Sequence, residues 1–511
     1  MVGALARAVA GSRRPEDQRS EKPHHRLVRL LTHDPDIGDR RTEGQHRCRD
    51  GDGVHTGSGH ASSVVPSVIY GSPIAGLWSV FSTALPKVKS GRASPQGTRH
   101  HHPGSSILFL SPHAEPVVRA TAPVVAEHAV AITSRFYPAM LEAHPDLRNL
   151  FNMGNQASGE QRQALASAVV AYAVHLLDPA APSFQPVMQR IAHKHVSLGI
   201  RPEQYTIVGH HLMAAVAEVL GDAVTPEVAQ AWDEVYWLFA AQLIAEEARL
   251  YTVAGVDPSH PWRRYVVVER VEEATDTISL VFRPEDGGLV PRHLPGQYVS
   301  VVVTLPDGLR QPRQYTVSTG PRENTLQITV RRVRGVGGAP DGAVSTFLHE
   351  QIVVGDVLEL GAPSGDLVLA DGDDPLLLIS AGVGITPVAA ILDDLATRGT
   401  TRPVTVAHAD RSAASHALFG ATADAISALG SAEVHTWYER VDATGDRRGA
   451  RTGLMDLSAL QIPEAADVFM CGPLPFMRDV RASLVRSGVP SHRIRYEVFG
   501  PDMFAGQTLS A

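Results

Sequence analysis

Cysteine is nearly absent from this 511-residue chain. Only Cys48 and Cys471 occur, far apart and in unlike contexts. That excludes a disulfide scaffold and any zinc or iron–sulfur site built on thiolates, and it suits a reducing, cytoplasmic compartment. Basic excess is also missing. The net charge of −8 gives no electrostatic footprint for nucleic acid, so none is expected as a partner. Strongly apolar runs of membrane-spanning length are lacking too. The nearest approach, Val64 to Leu85, lies in a stretch free of Lys, Arg, Asp and Glu, but it contains Pro66, Gly71, Pro73 and Gly76. A span needs about 20 strongly apolar residues, so none is expected here. Met1 is not followed by the apolar core and cleavage site of a secretory signal.

A chain of this length cannot close around one core, and several domains follow. Residues 1–110 are rich in Arg, His, Gly, Ser and Pro with no sustained period of 3.6 or 2. They read as a disordered or non-native extension, and the run His100, His101, His102 as biased composition. From Ser111 the pattern becomes helical: Ser111 can cap, Pro112 fits a first turn and Glu115 favours its dipole. Apolar residues then recur at three- and four-residue steps, as at Val125, Ala129, Ile132, Phe136 and Met140, and at Val228, Trp232, Val235, Phe239 and Leu243. This predicts an all-α domain over 111–253. Over 260–370 the period drops to 2, with β-branched runs at 265–268, 277–282, 298–303 and 326–330 between Asp-Gly turns. Many short strands predict a small β-barrel. Over 372–511 apolar strands alternate with helices, predicting a parallel α/β sheet.

One stretch organises the last two domains. Leu376 to Ile379 is wholly apolar, as in a strand buried on both faces. Gly382, Val383, Gly384, Ile385, Thr386 and Pro387 follow, a glycine turn running into a helix start. Glycines there let backbone approach a pyrophosphate, and the free N–H groups and helix dipole face its charge. The spacing differs from G-x-G-x-x-G, but A-G-x-G-x-T-P resembles the nicotinamide-binding domain of the ferredoxin-reductase family. Upstream, Pro295-Gly-Gln-Tyr298 precedes a strand, and Arg313, Gln314, Tyr315 and Thr316 open another as the R-x-Y-[ST] motif of flavin-binding reductases. A cation suits phosphate, an aromatic suits a flat ring, and a hydroxyl tunes ring electronics. The resemblance implies FAD, with Arg313 on its pyrophosphate, Tyr298 and Tyr315 beside the flavin and Thr316 hydrogen-bonded to it. Ser345, in a loop preceded by the additional stretch 334–341, is the implied phosphate contact.

In the helical part, Phe136-Tyr137, His144-Pro-Asp-Leu, Leu150 to Met153, Gln161 to Leu165, Lys194-His195 and Pro202 to Gly209 form a series. It resembles the globin domain of bacterial flavohaemoglobins, and with the reductase half the resemblance covers about 111 to 503. Its implications are specific. His195 is the proximal ligand of haem b, next to Lys194, with His193, His210 and His211 as bland competitors. Tyr137 and Gln161 are distal hydrogen-bond donors toward dioxygen. Phe151 and Leu165 line the pocket, roles that periodicity cannot separate from plain core. Tyr205 and Glu247 form a proximal relay. Glu246 is adjacent to Glu247, and only matching the ending Glu-Ala-Arg-Leu-Tyr251 to the family favours Glu247.

Late in the chain, Cys471, Gly472 and Pro473 end a strand, where open α/β sheets bind ligands. Cys471 either flanks the nicotinamide or is simply a buried apolar residue. Glu497, Val498, Phe499, Gly500 and Pro501 match the family's ending, which implies that Phe499 covers the flavin and Glu497 tunes the redox site. The resemblance as a whole implies a monomeric nitric oxide dioxygenase. NAD(P)H would reduce FAD, FAD would reduce haem, and nitric oxide and dioxygen would become nitrate. An oxygen-reducing haem protein and a gas-binding sensor or store are the alternatives. Nothing in the sequence separates NADH from NADPH.

Overall fold

The computed structural model describes residues 110–151, 160–178, 181, 183–335, 337–440 and 449–499. The extension 1–109, with its apolar stretch, and the ending Gly500–Pro501 lie outside the described residues. Five long helices come first: α1 (Ala114–Ala143), α2 (Glu160–Leu177), α3 (Gln185–Leu198), α4 (Pro202–Leu220) and α5 (Pro226–Ala254). Local chemistry sets their ends. Ser111 Oγ accepts the Ala114 N–H (3.1 Å), so the helix opens two residues beyond the Pro112 expected from sequence. Thr225 Oγ1 accepts the Val228 N–H (3.3 Å) at the start of α5, Pro226 fills its first turn, and Gly255 closes it at φ 67°. The apolar stripes converge on one core containing Phe136, Met140, Tyr172, Trp232 and Leu243. Among the described residues no helix is long and apolar enough to cross a membrane.

The second unit of structure is an antiparallel six-stranded sheet of order β4-β3-β6-β1-β2-β5. Its strands are β1 (Trp262–Ala274), β2 (Thr277–Pro284), β3 (Tyr298–Thr304), β4 (Arg310–Thr316), β5 (Leu326–Arg331) and β6 (Val357–Gly361), with helix α6 (Ala343–Glu350) between the last two. Just past β4, Val317 bridges Ile328, and the Ser318 N–H donates to the Gln327 carbonyl (2.8 Å); the sheet's two edges thus meet. One expectation changes here. The Arg313–Thr316 motif ends its strand instead of opening it, because pairing with β3 extends back to Arg310, across Thr304.

The third unit is a parallel sheet of order β10-β9-β8-β7-β11-β12. It comprises β7 (Leu376–Ala381), α7 (Ile385–Arg398), β8 (Val404–Asp410), α8 (Phe419–Leu429), β9 (Ala432–Tyr438), β10 (Arg451–Thr452), β11 (Asp467–Cys471), α9 (Leu474–Arg486) and β12 (Ile494–Glu497). The apolar run of β7 shows why it sits centrally. Leu376 and Leu378 enter the core under α7 and α8, while Leu377 and Ile379 enter the opposite core under α9. The short edge strands β10 and β12 were not foreseen.

Helix α3 is pressed against the barrel. Gly199, its C-cap at φ 69°, has no room for a side chain: a Cβ there would lie 2.9 Å from Pro261 Cγ. The Gly365 N–H donates to His193 Nδ1 (3.0 Å), Asn149 Oδ1 accepts the Arg310 N–H (3.0 Å), and Gln311 Nε2 donates to the Arg148 carbonyl (3.2 Å). Arg190, on the same helix, lies 3.4 Å from Asp366 and donates to the Tyr496 hydroxyl (3.2 Å). Helices, barrel and parallel sheet thus meet at α3.

Candidate active site

Of the histidines weighed on the sequence, His195 is the one held ready to bind a metal. It lies in the last turn of α3, and its side chain keeps 29% of its surface open. Its Nδ1 is 2.8 Å from the Tyr205 hydroxyl and 2.8 Å from Glu247 Oε1. Tyr205 also donates to that same carboxylate oxygen, and the Tyr236 hydroxyl donates to the Tyr205 carbonyl. Tyr205 occupies the first turn of α4, fixed by Pro202 and by the Arg201 N–H bond to Gln204 Oε1 (2.9 Å). Burial, and next the neighbouring Glu247, push the Tyr205 phenol far above its ordinary range, so it stays a donor. Glu247 is 3% exposed, whereas the half-buried Glu246 pairs with Arg249 instead (Nε to Oε2, 2.9 Å). With Nδ1 committed to an acceptor, the imidazole is left with Nε2 as its ligating atom. Among the described residues no group of three or more His, Cys, Asp or Glu converges as a metal site. Iron held by this one histidine therefore needs its other ligands from a macrocycle, and the site fits haem.

Tyr137 from α1 is 5% exposed in the helical core. It packs on Phe136 (ring centroids 4.7 Å apart) and edge-on against Phe151 (5.8 Å). Phe151 and Leu165 are half-buried against the same core. Gln161 lies on α2, but its side chain is outside the described residues.

The barrel brings the second motif to the globin boundary. Arg313 donates to the Pro312 carbonyl (2.7 Å) and to Gln311 Oε1 (3.4 Å), and burial lowers its pKa. Gln314 Nε2 donates to Ser300 Oγ (2.9 Å), and Tyr315 is half-buried on the barrel core. Thr316 is buried, and its hydroxyl has no hydrogen-bond partner. Tyr298 pairs with Thr316 across the sheet and is buried; a Cβ on Gly365 would lie 3.1 Å from its ring. Ser345 caps its own loop, accepting the Val333 N–H (3.1 Å) and donating to the Gly342 carbonyl (3.0 Å). The additional stretch folds back through Asp341, whose Oδ1 accepts the Gly335 N–H (2.8 Å). An orphaned hydroxyl beside a guanidinium and two aromatic rings fits a flavin that supplies the missing partners.

Lys194, Glu497 and Arg313 gather between these parts. Burial pushes the Glu497 carboxyl up to about 8 and draws the Lys194 ammonium down to about 8, the latter partly offset by Glu497. Glu497 Oε2 is buried without a hydrogen-bond partner. In the parallel ladder Ser380, Cys471 and Glu497 stand in one row across β7, β11 and β12, at the carboxyl edge where such sheets bind ligands. Cys471 is 1% exposed, and burial raises its thiol pKa.

The glycine turn fits closely onto this edge. Gly382, Val383 and Gly384 form one 3-10 turn into α7. A Cβ on Gly384 would lie 2.3 Å from the Cys471 carbonyl and 2.8 Å from the Gly472 nitrogen, so backbone meets backbone there. Ile385, Thr386 and Pro387 are buried in the first turn of α7, with Thr386 Oγ1 donating to the Val383 carbonyl (3.1 Å). Pro473 opens α9, Val498 packs on the sheet core, and Phe499 is 49% exposed. Sequence reasoning missed Tyr236, Gln311 and Arg331, while Asp410 was noted only within His408-Ala-Asp-Arg411, a stretch after the second strand that resembles the family. Their partners are distant in the chain, so no local pattern signals them.

A haem-ready histidine, a flavin cradle and a dinucleotide turn on one chain define a haem- and flavin-dependent oxidoreductase. Comparison with known proteins agrees. Residues 134–243 match the globin family, 262–368 the oxidoreductase FAD-binding domain and 378–482 the oxidoreductase NAD-binding domain. The flavohemoprotein of Bordetella parapertussis is 45% identical over 408 residues, covering 77% of this chain and 99% of that protein. That of Rhizobium meliloti is 42% identical over 407 residues, covering 78% and 100%. A flavohemoglobin of Malassezia yamatoensis, solved with bound FAD and heme, is 35% identical with a TM-score of 0.69, over 76% of this chain and all of that one. The chain belongs to the flavohaemoprotein family. It is an oxidoreductase that works with haem, FAD and a nicotinamide dinucleotide.

Proposed function

We propose that the chain is a cytoplasmic nitric oxide dioxygenase, consuming NAD(P)H to convert nitric oxide and dioxygen to nitrate. The observation that carries this reading is the buried Glu247 carboxylate, 2.8 Å from His195 Nδ1, with Tyr205 on the same oxygen. A carboxylate on the far side of the imidazole makes it more basic and electron-donating, which favours oxygen chemistry over mere oxygen storage. A reductase on the same chain supports an enzyme over a sensor. Nitrate formation from nitric oxide and dioxygen needs one further electron, so each hydride serves two turnovers. Bound FAD supplies the change from hydride to single electrons, and haem supplies the iron at which the gases react.

The chain's own residues do the rest. His195 would hold iron by Nε2, while Tyr205 and Glu247 hold its ring from Nδ1. Tyr137 would supply a hydrogen-bond donor in the pocket that Phe151 and Leu165 wall, stabilising negative charge on dioxygen, a role that the resemblance also gives to Gln161. Arg313 would meet the flavin pyrophosphate with Ser345 near it, Thr316 would donate to the ring, and Tyr298 and Tyr315 would pack on it. Gln314 holds β4 to β3 beneath them. Lys194 and Glu497, which neighbour each other between the flavin motif and His195, would tune the redox groups on either side. Gly382 to Pro387 and Cys471 to Pro473 would seat the dinucleotide, and Phe499, beside Val498, would cover the flavin.

The test is nitrate formation and NAD(P)H consumption in air by haem- and FAD-loaded protein, with and without nitric oxide, beside Tyr137→Phe. Consumption that rises with nitric oxide, yields nitrate and is impaired in the variant is expected. NAD(P)H oxidation indifferent to nitric oxide would leave an oxygen-reducing haem protein instead.

A further inference from the structure

Arg331 ends β5 and Arg332 follows it, and the two adjacent arginines go to different places. Arg332 stays by the loop before α6, 3.8 Å from Asp341. Arg331 reaches out of the barrel to the parallel sheet. Its Nη2 donates to the Ser415 carbonyl (3.2 Å) and lies 3.6 Å from Asp410 Oδ1, at the end of β8. Its Nη1 would be 2.7 Å from a Cβ on Gly382, so the guanidinium lies directly on the first glycine of the turn. Gly382 has φ +55° as well, which leaves that approach open only to glycine.

This ion pair is poorly satisfied for its burial. At 3.6 Å it is a charge contact without a hydrogen bond. Arg331 Nε and Asp410 Oδ2 are both buried without hydrogen-bond partners. Asp410 is 6% exposed; its Oδ1 accepts the Arg411 N–H (2.7 Å), and its Oδ2 lies 3.8 Å from His408 Nε2. His408 itself is held from its other nitrogen by Ser380 Oγ (2.9 Å). A guanidinium carries five donors in a fork suited to phosphate oxygens, and most are unspent here. Buried polar atoms left unpaired at a ligand-binding edge point to a ligand that completes them.

We propose that Arg331 is the cation that meets the pyrophosphate of the nicotinamide dinucleotide, and that Asp410 is a positioning carboxylate that parks it between turnovers. Dinucleotide binding is then an exchange, in which Arg331 trades Asp410 for phosphate oxygens while staying anchored on the barrel. Asp410 competes with the ligand and weakens its binding, which helps the oxidised dinucleotide to leave. This rests on the reading of Gly382 to Pro387 as the dinucleotide turn.

The test is anaerobic rapid mixing of NADH with haem- and FAD-loaded protein, following flavin bleaching to give the dinucleotide Kd and the limiting rate. Arg331→Gln is expected to raise Kd about tenfold or more, with Arg331→Lys recovering part of the loss. Asp410→Asn is expected to do the opposite and lower Kd about threefold or more, acting more on Kd than on the limiting rate. Flavin and haem content of each variant reports intact folding. An unchanged Kd in a folded Arg331→Gln, with wild-type flavin bleached normally, overturns the inference and leaves the dinucleotide turn standing. A rise in Kd for Asp410→Asn matching that for Arg331→Gln overturns the exchange, because the pair would then be structural. Failure of NADH to bleach the wild-type flavin overturns both readings.

Discussion

The pocket behind His195 and the cleft between barrel and parallel sheet handle polar groups in opposite ways. Behind His195, the Tyr205, Glu247 and Tyr236 side chains interlock. In the cleft, Thr316 Oγ1, Arg331 Nε, Asp410 Oδ2 and Glu497 Oε2 are buried without hydrogen-bond partners. A buried network satisfied internally fixes one geometry, as a metal ligand requires. A cleft with unspent donors and acceptors leaves its polar atoms to ligands that come and go. One region orients, and the other exchanges.

The sharpest way to break this contrast is Glu247→Gln. The amide keeps the shape but removes the charge behind the imidazole, so nitric-oxide-dependent turnover should fall about 10–100-fold with haem retained. Nitrate production per haem measures it, and turnover equal to wild type would contradict the role of the carboxylate.

In the cleft the expected effect is on stability. The Glu497 carboxyl is raised to about 8, chiefly by burial. Between its unfolded pKa of about 4.3 and 8 the folded protein keeps a proton that the unfolded chain releases. Stability from this group is therefore fully present below pH 4 and is lost as pH rises toward 8. Glu497→Gln removes that loss. Its unfolding temperature relative to wild type should climb from pH 5 to pH 8, by an amount equivalent to a few kcal/mol at most. A difference that does not change with pH contradicts the burial of a neutral acid.

Thr316→Val should have the smallest effect on stability. The lost hydroxyl has no partner, so unfolding should shift by less than about 1 kcal/mol. Flavin affinity, read by fluorescence titration, should nonetheless weaken. A large destabilisation with unaltered flavin binding would place the hydroxyl in the structure and not at the ligand.

Much of this was legible in the sequence where chemistry is local. The apolar run Leu376 to Ile379 became a strand buried on both faces, because alternate side chains feed two cores. Glu246 and Glu247 could not be told apart by spacing, since neighbours on a helix point about 100° apart and only packing chooses. The structure turns Glu247 inward and leaves Glu246 to Arg249. The pairing of Arg331 with Asp410 stayed hidden for a different reason. Their meeting depends on how barrel and parallel sheet dock, which no periodicity in either segment encodes.

The most direct test of the whole account is anaerobic mixing of NADH with oxidised, haem- and FAD-loaded protein under carbon monoxide, watching flavin and haem bands together. The account predicts that the flavin bleaches first and that the reduced haem–carbonyl band then grows, slowed in variants of Lys194 or Glu497. A flavin that bleaches beside a haem that stays oxidised would contradict it, since the two halves would share a chain without sharing electrons.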